Sequence, residues 1–186
     1  RFRREVLASA SLNHPNIVTV YESGQAGELY YFVMEYVDGV DVRHLLLDNK
    51  LQPAEALKLV PQICEALQYA HDEGVVHRDI KPENILLAAN VVKVGDFGLA
   101  KVLDGTSAAI YGDSAGLTLQ YAAPEMFNSK VTRWSDQYSL AVTYYRLRTG
   151  QLPFPPGSKA NDIIKMHVRG MLDLSRVAEA ERTVMA

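Results

Sequence analysis

At 186 residues, with 48% hydrophobic and 22% charged side chains, the chain has the size and balance of one soluble globular domain. A net charge of −3 gives no sign of affinity for nucleic acid or an acidic membrane and excludes a strongly basic chain overall. No apolar run is long enough to cross a bilayer, and the start Arg1-Phe2-Arg3-Arg4-Glu5 lacks the apolar centre of a signal peptide. The single cysteine, Cys64, cannot form an internal disulfide, and its neighbours Leu59, Ile63 and Leu67 lead us to expect a buried thiol in a helix. A cytoplasmic setting follows, with an anchor outside these residues left open.

The elements follow in chain order. Apolar side chains at Phe2, Val6, Leu7, Ala10 and Leu12 have helical spacing, and Asn13-His14-Pro15-Asn16 ends that helix because the residue before proline disfavours helical backbone. Residues 17–21 and 29–35 are rich in β-branched and aromatic side chains, which predicts two antiparallel strands around Ser23-Gly24. Asp38-Gly39 marks a turn before a short helix near 42–47. Pro53 suits a first helical position, and Leu57, Val60, Ile63, Leu67 and Ala70 predict a long helix ending before Gly74. Two short strands are expected at 85–87 and 91–94, then an open loop of small residues over 98–122. Further helices are expected at 135–148, stopping at Gly150, and at 161–169. The fold class is therefore α+β, with a little antiparallel sheet early and helices dominating after residue 40.

The chemistry lies in His77-Arg78-Asp79-Ile80-Lys81-Pro82-Glu83-Asn84, followed by Asp96-Phe97-Gly98 and Ala123-Pro124-Glu125. Phosphoryl transfer from ATP needs a carboxylate at the attacking hydroxyl, oxygen ligands for Mg²⁺ and in-line positioning, with little covalent help. Asp79 can supply the first, Asn84 and Asp96 the second, and Lys81 a positive charge beside the transferring phosphate. A match of five fixed residues occurs by chance roughly once in millions of positions at ordinary residue frequencies. An arbitrary aspartate is far more often a solvated surface group. Two ordered motifs reverse those odds.

The order H-R-D-x-K-x-x-N, D-F-G, A-P-E resembles the eukaryotic-type protein kinase family, and bacterial Ser/Thr kinases in particular. That resemblance implies a partial N-lobe (a regulatory helix plus two antiparallel strands) at 1–34, a hinge at 35–40 and a mostly helical C-lobe at 41–186. It implies ATP and Mg²⁺ as ligands and a protein Ser/Thr hydroxyl as acceptor, with no nucleic acid and no membrane contact in this segment. Residue by residue, Asp79 takes the role of proton-accepting base, Lys81 steadies the γ-phosphate, and Asn84 and Asp96 bind Mg²⁺. Met34 takes the gatekeeper place, and the backbones of Glu35 and Val37 face adenine. Asp41 reaches the ribose, Glu83 belongs to the nucleotide side of the loop, and Leu86 forms the apolar floor. Glu5 matches the regulatory glutamate, His77 a scaffold histidine holding Phe97, and Asp136 the buried aspartate that holds the catalytic-loop backbone. Thr118 matches the threonine that recognises a hydroxyl-bearing substrate, and Lys81 two residues after Asp79 is the Ser/Thr pattern. Gly98 completes D-F-G. Arg78 beside Asp79 suggests control by a phosphate on the following loop, with Thr106, Ser107 and Ser114 as candidates.

Nothing in the chain resembles the family's Gly-rich loop or its strand lysine, and the late arginine that pairs with Glu125 is not reached. The resemblance thus implies a domain truncated at both ends and weakly active or inactive by itself. His14, His44, His71 and His167 have no metal-ligand spacing and read as structural or surface groups; Tyr144 and Tyr145 read as core. Two other functions stay open: a pseudokinase or scaffolding module, against which the complete Asp79, Lys81, Asn84, Asp96 set argues, and a small-molecule phosphotransferase.

Overall fold

The computed structural model describes residues 11–27, 29–97, 119–128 and 130–185. The expected first helix, with Glu5, lies outside them, as do Gly98, Thr118 and the candidate acceptors Thr106, Ser107 and Ser114.

Strands β1 (Val20–Ala26) and β2 (Leu29–Met34) pair antiparallel, from Ala26 opposite Leu29 to Val20 opposite Met34. The turn falls at Gly27, whose φ of +63° is accessible to glycine at no cost, and not at Ser23-Gly24 as the sequence suggested. Gly24 is instead mid-strand, opposite Tyr31. A Cβ there would stand 2.4 Å from the tyrosine ring, so its glycine makes room for a cross-strand aromatic. Ile17, expected to open the first strand, makes a parallel bridge to Val94 of the other sheet.

That second sheet joins β3 (Val40–Asp41), β4 (Ile85–Ala88) and β5 (Val91–Val94) in the order β3-β4-β5, all antiparallel. Ala89 and Asn90, with φ of +47° and +71°, form the two-residue hairpin loop between β4 and β5. Helix α1 (Val42–Leu47) is capped by Asp41, whose carboxylate accepts the His44 N–H at 2.9 Å.

Helix α2 (Pro53–Asp72) starts with proline as its sequence predicted and buries Ala56, Leu59, Ile63, Ala66, Leu67 and Ala70, the i, i+3, i+4, i+7 stripe of an amphipathic helix. Cys64, one step of about 100° past Ile63, is exposed in a groove between α2 and the next helix. The expectation of a buried thiol was wrong. Helix α3 (Arg133–Thr149) begins two residues before the expected start, on a capping box in which the Thr132 N–H donates to Ser135 Oγ at 3.1 Å. It buries Leu140, Val142, Tyr145 and Leu147, but also Ser135, Asp136, Ser139 and Thr143. Helices α4 (Ala160–Val168) and α5 (Glu179–Met185) complete the described chain, together with 3₁₀ turns at Pro82–Asn84 and Pro124–Asn128. The stripe of α2, Val92 and Val94 of β5, Ile80, Ile85, Phe97, Leu140 and Leu147 form one core. The loop from Val75 to Asn84 crosses that core, which is why its polar side chains are held in a dry, fixed frame.

Candidate active site

Ile80, inside the His77–Asn84 motif, and Ile85, just after it, are fully buried and anchor the loop. Just before Ile80, Asp79 projects a carboxylate with two different oxygens. Oδ2 receives Lys81 Nζ at 2.6 Å and Asn84 Nδ2 at 3.1 Å. Oδ1 is buried and, among the described residues, has no hydrogen-bond partner. Asn84 Nδ2 also donates to the Asp79 carbonyl at 2.7 Å. Both its N–H bonds thus point back to Asp79, and its Oδ1 remains as the acceptor.

His77 is fully buried, and removal from water pushes its pKa below the ordinary histidine value against the raising pull of Asp136. Its ring is therefore neutral. Nε2–H donates to the Gly95 carbonyl at 2.7 Å and Nδ1 accepts the Asp79 N–H at 3.2 Å, which selects one tautomer. The ring also packs on Phe97 with centroids 4.5 Å apart. One side chain thus ties the His77–Asn84 loop to the strand that ends in Asp96-Phe97. Gly95 N–H in turn donates to the Asn84 carbonyl at 2.9 Å, which brings the start of Asp96 against Asn84. Asp96 is exposed, with a left-handed φ of +60°.

Asp136 on α3 supports this loop from beneath. Its fully buried carboxylate accepts the His77 N–H at 2.8 Å and the Arg78 N–H at 2.7 Å. Arg78 has φ +74°, a conformation that costs a side-chain-bearing residue on the order of 1–3 kcal/mol, and these bonds maintain it. His71, which sequence reasoning set aside as structural, completes the cradle with Nε2 2.7 Å from Asp136 Oδ2. No local signal links it to a residue 65 positions away. Thr143 Oγ1 donates to the Ile80 carbonyl at 3.3 Å, a second tie from α3 to the loop. Arg78 Nε is buried without a partner among the described residues.

The nucleotide-side candidates form a strip along the second sheet. Leu86 on β4 lies between Asp41 on β3 and Lys93 on β5. Asp41 is also the cap of α1, and both its oxygens are engaged by His44, Oδ1 by the His44 N–H at 2.9 Å and Oδ2 by its ring Nδ1 at 2.5 Å. Met34 closes β2 and is 39% exposed, with Glu35 and Val37 half-buried just after it. Glu83 sits 3.2 Å from Arg43 through Oε1, while its Oε2 is buried and unpartnered among the described residues. Glu125 accepts the Ser135 Oγ–H at 2.6 Å, a partner the sequence did not suggest.

Asn84 Oδ1 and the Asp96 carboxylate are hard oxygen donors of the type Mg²⁺ takes. Among the described residues no group of three or more His, Cys, Asp or Glu side chains forms a ready-made metal cage.

The chain belongs to the protein kinase domain family, whose profile matches residues 1–184. Among curated relatives it is 43% identical to the Ser/Thr-protein kinase PknB of Mycobacterium leprae, over 91% of this chain and 28% of that protein. Its identity to the Ser/Thr-protein kinase PrkC of Bacillus subtilis is 40%, over 91% of this chain and 26% of the relative. The chain thus spans little more than a quarter of the length of these relatives. Among solved structures, that of Rad53 in complex with AMP-PNP superposes with a TM-score of 0.77 at 30% identity, covering 100% of this chain and 49% of that one. The PknI kinase domain of Mycobacterium tuberculosis gives 0.69 at 30% identity, over 97% of this chain and 71% of that one. The bacterial-like resemblance and the α+β kinase fold are confirmed. Among the described residues no helix is long and apolar enough to cross a membrane.

Proposed function

We propose that this chain carries the active site of a Ser/Thr protein kinase, which transfers the γ-phosphate of ATP to serine or threonine hydroxyls of protein substrates. The observation that carries the reading is the divided carboxylate of Asp79. With Oδ2 held by Lys81 and Asn84, the dry, unpartnered Oδ1 is an acceptor in want of a donor. A substrate hydroxyl is such a donor. Its hydrogen bond to Oδ1 orients the oxygen for in-line attack, and Asp79 takes the proton as the bond to phosphorus forms.

Lys81, beside that carboxylate, places a positive charge where charge develops on the transferred phosphoryl group. Bound Mg²⁺ would neutralise phosphate charge, and Asn84 and Asp96 are the residues to hold it. The backbones of Glu35 and Val37, with Leu86 beneath, would receive adenine. Asp41 and Glu83 would line the ribose side and Met34 the back of the pocket. The AMP-PNP bound to Rad53 and the names of the relatives support this assignment. The buried, unpaired Nε of Arg78 supports a role for Arg78 in receiving a phosphate from the segment after Asp96.

The test is label transfer. The chain, completed with the N-terminal strands and Gly-rich loop of a relative and incubated with Mg²⁺, γ-labelled ATP and a basic protein acceptor, should place label on serine and threonine. Asp79→Asn should still bind nucleotide but transfer about 10²–10⁴-fold more slowly, the usual worth of a positioned general base. Near-parental turnover in Asp79→Asn would show that another group is the base. Nucleotide binding without any transfer by the parent would favour the scaffolding alternative.

A further inference from the structure

The kinase resemblance gives Glu35 a role only through its backbone, yet its side chain makes a connection of its own. Lys93 Nζ lies 2.7 Å from Oε1 and 2.8 Å from Oε2, so both oxygens are engaged by one ammonium. The two side chains are 19% and 23% exposed, largely out of water. The Thr19 N–H donates to Oε2 at 3.2 Å, and the Glu35 N–H donates to the Thr19 carbonyl at 2.8 Å. Burial alone would raise the Glu35 carboxyl; the Lys93 ammonium and the Thr19 amide outweigh it and hold the group below its ordinary range.

Both ends of this pair matter for position. Lys93 stands opposite Leu86 across β4 and β5, three residues before Asp96. The same strand is stitched to the segment before β1, because the Val18 N–H donates to the Val94 carbonyl at 2.9 Å and the Val94 N–H to the Asn16 carbonyl at 2.8 Å. Asn16 Nδ2 adds a bond to the Val92 carbonyl at 2.8 Å. Among the described residues, Glu35 and Lys93 form the side-chain link between the two sheets just where the chain passes from one to the other. The pair is partly exposed, so its net worth to stability is small, while the two oxygens it engages fix its geometry.

We propose that the Glu35–Lys93 ion pair is a positioning strut of the nucleotide site, holding the backbone after β2 at a set distance from Leu86 and from the strand that presents Asp96. This rests on the nucleotide reading given above. The strut acts through the backbone after β2 and the floor at Leu86, so losing it should weaken ATP binding while leaving transfer from bound ATP intact.

The measurement uses the whole chain, a fluorescent ATP analogue with Mg²⁺, melting without nucleotide, and the split of KM for ATP from kcat. Lys93→Met keeps the stem but removes the charge, and should raise the nucleotide Kd and the KM for ATP about five-fold, the upper range for a partly exposed pair, with kcat unchanged. Lys93→Arg should bind as the parent does, and so should Lys50→Met, which breaks the exposed Lys50–Asp48 pair. If Lys93→Met does not fold, Glu35→Gln, which keeps an acceptor for Thr19, takes its place with the same expectation. Parental nucleotide affinity in the uncharged variant, or an Arg variant as weak as the Met variant, overturns the strut. A parent that binds no Mg²⁺-nucleotide overturns the nucleotide reading and the strut with it, so the two failures are distinguishable.

Discussion

Asp136→Asn is nearly isosteric, yet it should disable the loop it supports. The buried carboxylate collects the His77 N–H at 2.8 Å, the Arg78 N–H at 2.7 Å and His71 Nε2 at 2.7 Å. An amide has one acceptor oxygen and an NH₂ group. If the oxygen replaces Oδ2, the NH₂ confronts the Arg78 N–H; turned over, it confronts both His77 and His71. At least one buried donor is orphaned in either rotamer, and the remaining bonds lose their charge assistance. Together these losses are worth roughly 2–4 kcal/mol. For a domain of this size that corresponds to a melting temperature lower by roughly 5–15 °C. The left-handed Arg78 is held by the bond at risk, so the backbone should relax and displace Asp79. Phosphate transfer should therefore fall further than nucleotide affinity. The assay is thermal and urea unfolding followed by far-UV circular dichroism and by the single tryptophan, Trp134, two residues away on α3, with transfer rates measured at saturating ATP. A variant that melts with the parent and transfers at its rate would refute the claim that Asp136 holds the loop.

Asp96→Asn should weaken Mg²⁺-nucleotide binding more than nucleotide binding without metal, because a neutral amide oxygen is a poorer ligand for a hard cation; titrations with and without Mg²⁺ separate the two. Glu181 is held down to about 2 by Arg148 Nε at 2.8 Å and the Tyr144 hydroxyl at 2.5 Å, which tie α5 to α3. Its folded value lies below the unfolded one, so its contribution is complete above about pH 4.5 and is lost as pH falls toward 2. Glu181→Gln should lower the melting temperature at pH 7 and flatten its decline in acid; an unchanged acid limb would refute the assignment. His167 is buried among Phe127, Tyr138 and Phe154, and loss of hydration depresses it to about 4. The unfolded chain therefore takes up the proton first, and stability present above pH 6.5 should decline as pH falls toward 4. Replacing His167 with Gln should reduce that slope in melts recorded between pH 7 and 4.

What was legible in the sequence was chemistry concentrated in one short segment. Asp79, Lys81 and Asn84 share one loop held by the buried Ile80 and Ile85, and their spacing sufficed to bring them together. Helix α2 was legible for a similar reason, since its apolar stripe repeats at helical spacing and proline opens it. Apart from Asp136, which the family resemblance pointed to, partnerships formed across the fold left no trace. His71 meets Asp136 over 65 positions and Lys93 meets Glu35 over 58, and in each case only tertiary packing selects the pair. Gly24 was misread as a turn because glycine answers equally to a bend and to a neighbour's ring, and only the register with Tyr31 decides.

Helix α3 shows how function itself can blur such signals. Ser135, Asp136, Ser139 and Thr143 are buried on it, polar groups where an ordinary helix of this kind would place aliphatic ones. That substitution weakens the apolar periodicity by which a helix is read, and the expected start fell late, at Ser135 instead of Arg133. Yet Asp136 bonds to His77 and Arg78, Thr143 to the Ile80 carbonyl and Ser135 to Glu125. The face that departs from the helical pattern is the face that grips the catalytic loop. Polar groups buried there must each find a partner, and the loop's own backbone supplies several of them. A purely apolar α3 would have been easier to read, and it would have left the His77 and Arg78 amides buried with nothing to accept them.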